Sequence, residues 1–221
     1  EMLTRDWSSD VCSSDLDVVV LDEPVIGGSA AYRALKRGFD VTVCAAALVV
    51  LAIPMLVIAM KIKSESPGPV IYAQNRVGKN GRVFRLYKFR SMYVDAESRG
   101  ARWADGEDRR ITPFGRFMRK TRVDEIPQLW NIVKGNMSLV GPRPERPVFC
   151  REFEKRIHGW RYRTHVMPGL TGLAQVMGGY ELLPREKVKL DLAYIRHRGV
   201  RTDTRVLLRT IGVITTGSGA R

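Results

Sequence analysis

Carboxylates are in short supply in this 221-residue chain. Its 23 Asp and Glu stand against 37 Lys and Arg, which leaves a net charge of +14 and a pI of about 10.1. Such a balance points to anionic partners: nucleic acid, an anionic membrane surface or phosphorylated substrates. Cysteine is scarce as well. Cys12, Cys44 and Cys150 are odd in number, widely separated and without a CxxC pair, so neither a disulfide framework nor a zinc site is expected, and a reducing compartment fits. The histidines His158, His165 and His197 lack a metal spacing such as HExxH and read as surface or hydrogen-bonded side chains. Helix-turn-helix, RNA-recognition and zinc-finger patterns are missing too, which argues against nucleic acid as the partner.

The length suits one catalytic-sized domain with appendages. Residues 1–16 repeat the triplet SSD and carry neither a strand nor a helix period. They resemble translated adapter sequence at the end of a gene model, and are set aside as non-native or disordered. Residues 17–32 read as a loose lead-in with one apolar run at 18–21.

Residues 41–60 are uncharged, and only Thr42 and Pro54 are not plainly apolar. A straight helix of this length spans about 30 Å, the hydrocarbon thickness of a bilayer. Pro54 removes a helix hydrogen bond and clashes with the carbonyl of Val50, so a kink is expected there. Basic residues flank both ends: Arg33, Lys36 and Arg37 before, Lys61 and Lys63 after. The positive-inside tendency would keep both ends on the cytoplasmic side. A bent re-entrant hairpin and a plain transmembrane helix both remain open on these grounds. A buried core helix fits less well, because the remaining chain would struggle to cover a helix apolar all round.

Beyond a turn at 66–69, residues 70–76 and 82–89 read as two strands around the Asn-Gly signal of Lys79-Asn80-Gly81. A regular second strand puts Lys88 and Arg90 on one face, where two cations suit a diphosphate or form an ordinary basic edge. Residues 95–110 read as a polar loop or short helix. Phe149, Phe153, Ile157 and Trp160 are spaced for one helical face. Residues 168–172 form a turn-rich loop. Residues 186–198 and 203–215 are amphipathic helices, with Val206, Leu207, Ile211 and Ile214 lining the last. Packing into a core and lying on a membrane surface both fit them.

The centre of interest is 121–144, TRVDEIPQLWNIVKGNMSLVGPRP. Asp124 is a good N-cap residue and Pro127 suits a first helical turn. Ile126, Leu129, Trp130 and Val133 then form one apolar face, and Gly135 is placed to stop the helix. Gly141-Pro142-Arg143-Pro144 is a stiff loop holding one guanidinium. Asp124 and Glu125 at a positive helix end, near Arg116, Arg119, Lys120 and Arg122, should stay ionised at neutral pH. That helix end could also receive a phosphate. A capped helix with solvated charges is the plain alternative.

These motifs together resemble the bacterial sugar transferases, the monotopic phosphoglycosyl transferases that move a hexose-1-phosphate from a nucleotide sugar to a polyprenyl phosphate. The likeness runs over roughly 33–214. It rests on the Pro54-containing segment, SPGPVIYAQNRVGKNGRVFRLYKFRSM (66–92), GRFMRKTRVDEIPQLWNIVKGNMSLVGPRP (115–144) and PGLTGLAQVMG (168–178). Length and hydrophobic segments look like the short forms that start exopolysaccharide or glycan assembly.

The resemblance implies a mostly helical α/β fold. A re-entrant membrane helix at 33–63, kinked at Pro54, would precede a compact cytoplasmic catalytic domain at 64–221 with a small β-hairpin and interfacial helices. It implies that Asp124 is the nucleophile, giving a phosphosugar-enzyme intermediate with release of UMP from a UDP-sugar. Glu125 would help bind Mg²⁺ or activate the lipid phosphate, so Asp124 and Glu125 are also the metal candidates. Lys88, Arg90, Arg119 and Arg143 are the substrate-binding candidates. The implied partners are a UDP-sugar, undecaprenyl phosphate and the cytoplasmic face of the bacterial inner membrane; a homodimer is allowed. Departures include Arg122 and Val123 before the dyad, Leu173 for a frequent tryptophan, Met177-Gly178-Gly179, and Arg201-Thr202-Asp203. Those at 173–179 leave the sugar undetermined. The alternatives are a membrane-anchored protein that binds anionic ligands without catalysis, and a direct glycosyltransferase that releases a nucleoside diphosphate.

Overall fold

The computed structural model describes residues 19–94, 96, 108–178 and 182–216. The segment 1–16, most of the 95–110 stretch and Gly179 lie outside the described residues. The chain is mostly helical, with three small two-stranded sheets among the described residues.

Strand β1 (Val19–Val20) leads to α1 (Ala30–Val50). Ser29 caps this helix by accepting a hydrogen bond from the Tyr32 amide at 3.1 Å, as an N-cap serine should. Helix α2 (Ala52–Glu65) follows Leu51 directly, bent by 61° from α1. The bend falls three residues before Pro54. A proline ring strikes the carbonyl four residues back, and that carbonyl, on Val50, is where α1 ends. Val49, Val50 and Ile53 at the bend are 77%, 75% and 76% exposed, so no core covers this apolar surface. No single described helix is long and apolar enough to cross a membrane, but the bent pair has the length and composition of a broken span or re-entrant loop.

One face of α1 is committed to the rest of the fold. Arg37 donates to the carbonyls of Ile132 at 2.7 Å and Val133 at 3.0 Å. Buried Asp40 accepts from Ser138 Oγ at 2.6 Å.

Strands β2 (Ile71–Val77) and β3 (Val83–Phe89) pair antiparallel, with Ile71 opposite Phe89 and Val77 opposite Val83. Asn80 sits in the left-handed region (φ 55°) and Gly81 follows at φ 76°, conformations that Asn and Gly adopt at low cost. The expected hairpin is therefore present. Helix α3 (Pro113–Lys120) starts at Thr112, whose hydroxyl accepts from the Gly115 amide at 3.0 Å. Helix α4 (Gln128–Val133) is followed by β4 (Ser138–Val140).

Helix α5 (Pro147–Arg156) stops before the stripe expected to extend it. Ile157 lies in β5 (Ile157–His158), parallel to β1, and Trp160 in a 3₁₀ turn (Trp160–His165) after Gly159 at φ 93°. Trp160 still meets Phe153, ring centroids 4.7 Å apart. The loop expected at 168–172 is largely strand β6 (Gly169–Thr171), parallel to β4. A Cβ on Gly169 would come within 2.1 Å of the Gly141 amide nitrogen, so this close pairing needs glycine there.

Helices α6 (Leu173–Met177), α7 (Pro184–His197) and α8 (Val200–Thr216) complete the fold. Val188, Leu192, Tyr194 and Ile195 of α7 and Val206 of α8 join Val140, Ile157, Trp160 and Val166 in the largest core cluster. Helix α7 is thus a core helix. Helix α8 buries Val206 and packs Leu207 against the core but turns Leu208, Ile211 and Ile214 outward, so the apolar residues expected to line it divide between core and surface.

Candidate active site

Asp124 and Glu125 do not cap a helix. They lie in a separate 3₁₀ turn (Val123–Glu125) between α3 and α4. Arg122, before the turn, is left-handed at φ 57°, which breaks the chain direction after α3. Helix α4 begins only at Gln128, after Pro127. It spans six residues, so its dipole is no strong source of positive field, and side-chain cations fill that role. Of the expected apolar face, Ile126, Leu129 and Val133 pack against the core. Trp130 is exposed, whereas Gln128, Asn131 and Ile132 are buried. Gly135 ends the helix as expected, at φ 88°.

Asn131 accounts for a polar side chain buried on this helix. Its Nδ2 donates to the Arg85 carbonyl at 2.8 Å, and its Oδ1 accepts from the Tyr87 amide at 3.0 Å. It supplies the outer edge of β3 with the two partners a further strand would give. A buried polar side chain is stable when satisfied in this way, and the contact fixes α4, and the turn before it, beside the end of β3.

Lys88, one residue along β3, consequently reaches both carboxylates. Its Nζ lies 2.7 Å from Glu125 Oε1 and 3.5 Å from Asp124 Oδ2. Arg143 approaches from the loop after β4. Its Nη2 donates to Glu125 Oε1, and its Nη1 to Oε2 at 3.3 Å. Arg119 of α3 donates from Nε to Ser91 Oγ at 2.9 Å, and its charge bears on Asp124. Lys88, Arg119 and Arg143 are therefore gathered at the dyad.

Arg90 is not on the shared face expected for it. Strand β3 ends at Phe89, so the alternation that would align Arg90 with Lys88 stops. The Arg90 guanidinium instead donates to the carbonyls of Pro67 and Ser66 and to Ser66 Oγ, the last two at 2.7 and 3.0 Å. It ties the end of α2 to the hairpin. A Cβ on Gly68, at φ 112°, would fall 2.2 Å from Arg90 Nη1, so glycine makes room for this tether.

The two carboxylates differ in their surroundings. Burial pushes both up. For Glu125, the charges of Arg143 and Lys88 and their hydrogen bonds outweigh burial and hold it well below the usual carboxylate range. For Asp124, burial prevails over the pull of Lys88, Arg119 and Arg143, with Glu125 adding repulsion, and the value is raised. Among the described residues Asp124 accepts no hydrogen bond, and its one ion pair is the 3.5 Å contact with Lys88. A buried carboxylate with unused lone pairs beside three cations suits attack on an electrophilic phosphorus.

No group of three or more His, Cys, Asp or Glu side chains converges on a metal-sized site among the described residues. Asn131 and the residues that hold the 143–145 backbone were invisible to sequence patterns, because each works through a partner far along the chain.

Two buried carboxylates with Lys88 and Arg143 bonded to them form a site whose charge and donors suit a phosphate-bearing ligand. The sequence profile of bacterial sugar transferases matches residues 31–217, and the chain belongs to that family. It is 44% identical over 196 residues to the UDP-N-acetylgalactosamine-undecaprenyl-phosphate N-acetylgalactosaminephosphotransferase of Aeromonas hydrophila, covering 87% of this chain and 46% of the relative. It is 39% identical over 203 residues to the UDP-galactose-lipid carrier transferase of Erwinia amylovora, covering 85% and 42%. With the UDP-glucose:undecaprenyl-phosphate glucose-1-phosphate transferase of Escherichia coli K12 the identity is 36% over 199 residues, covering 88% and 42%. The chain thus spans less than half the length of these three relatives.

Proposed function

We propose that the protein transfers a hexose-1-phosphate from a UDP-sugar to undecaprenyl phosphate, an initiating step of exopolysaccharide or glycan synthesis. The observation that carries this reading is the unequal dyad: Asp124 holds unused lone pairs while Glu125 is saturated by Lys88 and Arg143. Family membership and the names of the relatives support the reaction class.

In this reading an Asp124 carboxylate oxygen attacks the sugar-bearing phosphorus of the UDP-sugar. The bond from that phosphorus to the bridging oxygen breaks, and UMP leaves with the electron pair. An oxygen of undecaprenyl phosphate then attacks the same phosphorus. The acyl-phosphate bond breaks, and the Asp124 carboxylate returns. Lys88, Arg119 and Arg143 offset the charge of the diphosphate and of the leaving group. Glu125 aims Lys88 and Arg143. The raised pKa of Asp124 sets an acid limit, since only the carboxylate attacks.

Mg²⁺ takes one or two carboxylates together with substrate phosphates and water. Asp124 and Glu125 are the carboxylates that would hold the ion, with substrate phosphates and water as its other ligands. When bound, the ion supplies further neutralisation of the diphosphate. The bent pair of α1 and α2, with its exposed apolar bend and basic flanks, suits re-entry into the cytoplasmic leaflet of the inner membrane. Holding the domain there brings the lipid phosphate to Asp124 without extraction from the bilayer.

The test supplies a UDP-sugar panel, Mg²⁺ and undecaprenyl phosphate and measures the released nucleotide. UMP release that is lost in Asp124→Asn is expected. No nucleotide from any UDP-hexose, or full activity in Asp124→Asn, contradicts the reading. Release of UDP instead identifies direct glycosyl transfer.

A further inference from the structure

Arg143 is the guanidinium that bonds Glu125, and its backbone is held from an unexpected direction. Four successive carbonyls, of residues 142 to 145, each accept a hydrogen bond. Pro142 accepts from the Gly169 amide at 2.9 Å and Glu145 from the Val77 amide at 2.9 Å. Between them, Arg143 accepts from Arg163 Nη2 at 2.9 Å and Pro144 from Arg76 Nη1 at 3.1 Å. The two outer bonds are backbone pairing. The two inner ones come from side-chain cations brought there by buried carboxylates.

Arg163 is 5% exposed and Asp191, on α7, 1%. Arg163 donates from Nε to Asp191 Oδ2 at 2.7 Å and lies over the Trp160 ring, its Cζ 4.2 Å from the centroid. One turn earlier on α7, Lys187 pairs with Glu145, which also faces Arg76 Nη1 at 3.3 Å. Spaced four apart, Lys187 and Asp191 share a helical face. Helix α7 therefore grips the segment bearing Arg143 at two points. A guanidinium can serve Asp191 and the Arg143 carbonyl at once because its donors form a rigid planar fork, which an ammonium lacks.

We propose that the Arg163–Asp191 pair is a positioning pair for the transfer reaction: it fixes the Arg143 backbone so that the Arg143 guanidinium stays aimed at the dyad. Neither residue is expected to touch substrate. A guiding side chain needs its own support to hold a productive geometry, and a displacement of about 1 Å can cost about 100-fold in rate. The inference rests on the reading of Arg143 as a substrate-binding residue in UMP release.

The experiment is a double-mutant cycle on kcat/KM for UMP release by the full chain, using Arg163→Lys, Arg143→Ala and the double variant. It is read together with hydrogen–deuterium exchange of the peptide covering 139–146. Arg163→Lys is expected to lower kcat/KM by about 10- to 100-fold, the scale of one lost charge-assisted hydrogen bond. It should raise exchange across 139–146 and leave 37–65 unchanged. In the Arg143→Ala background the same change should cost less than about threefold, since coupled residues do not add. Losses that multiply, or unchanged exchange at 139–146, overturn the proposal. If Arg163→Lys does not fold, Asp191→Asn carries the same cycle with a smaller expected loss. An inactive wild-type chain overturns the reading of the reaction, and the exchange result then decides the positioning by itself.

Discussion

Two clusters of buried charge lie on either side of Arg143, and they are built to opposite ends. In the cluster around Glu145 and Asp191, each carboxylate has a close cationic partner. Glu145 is paired with Lys187 and Arg76, and Asp191 with Arg163. In the cluster around the dyad, Glu125 is bonded closely by Lys88 and Arg143, but Asp124 has, among the described residues, the long contact with Lys88 alone. Buried ions are costly unless their bonds are completed, so the completed cluster reads as scaffold. The incomplete carboxylate is held in place by its neighbours rather than by bonds of its own. The two clusters differ in how closely their cations approach the carboxylates, not in burial or in residue type.

Substitutions should separate the two clusters. The largest effect belongs to Asp124→Asn. It should lower UMP release by about a thousandfold or more, about 4 kcal/mol or more of transition-state stabilisation, while the urea midpoint stays near that of wild type. Glu145→Ala should act first on the fold, leaving Lys187 and Arg76 without their carboxylate and costing about 3–5 kcal/mol of stability by denaturant unfolding, with a smaller loss of turnover through the loosened Arg143 segment. Comparable losses of stability in both variants would erase the contrast. Asn131→Ala should cost about 2 kcal/mol, because the Arg85 carbonyl and Tyr87 amide both lose their partner. It should also reduce turnover through the displaced Lys88. Lys155→Ala, in an exposed pair with Glu152, should stay within about 0.5 kcal/mol and leave turnover intact.

Acid sharpens the same comparison. Burial alone would push Glu145 up, but Lys187 and Arg76 bring it down from 4.5 to about 2. A carboxylate lowered in the folded state contributes stability that is complete above its ordinary value and lost as pH falls through the folded one. Folding should weaken between pH 4.5 and about 2, and Glu145→Gln should flatten that dependence in urea titrations. Asp124 shifts the other way. Turnover should fall as pH drops through a value above the ordinary 3.8 for aspartate, at a pH where Glu145 still supports the fold.

What the sequence made legible was local. The Asn-Gly hairpin and the apolar segment with its proline depend on residues near one another, and both are present. The bend came at Leu51 because a proline acts on the carbonyl four residues back. The Asp-Glu motif was legible as a likeness, but its geometry was not. A dyad in its own 3₁₀ turn depends on the left-handed Arg122, which no periodicity signals. Arg90 lies off the face that a regular strand would give it, because alternation says nothing about where a strand stops. Asn131 bonds backbone 44 and 46 residues away; Arg163 and Asp191 lie 28 apart. Such pairings exist only once the chain has folded, so patterns within a short window do not contain them.

The most direct test of the unequal dyad is intact-protein mass spectrometry of the full chain, incubated with Mg²⁺ and the UDP-sugar it turns over, without lipid acceptor. The account predicts an adduct of one sugar phosphate on wild type, mapped to Asp124, discharged by undecaprenyl phosphate and absent from Asp124→Asn. An active chain that never carries the adduct, or an adduct that persists in Asp124→Asn, would contradict it.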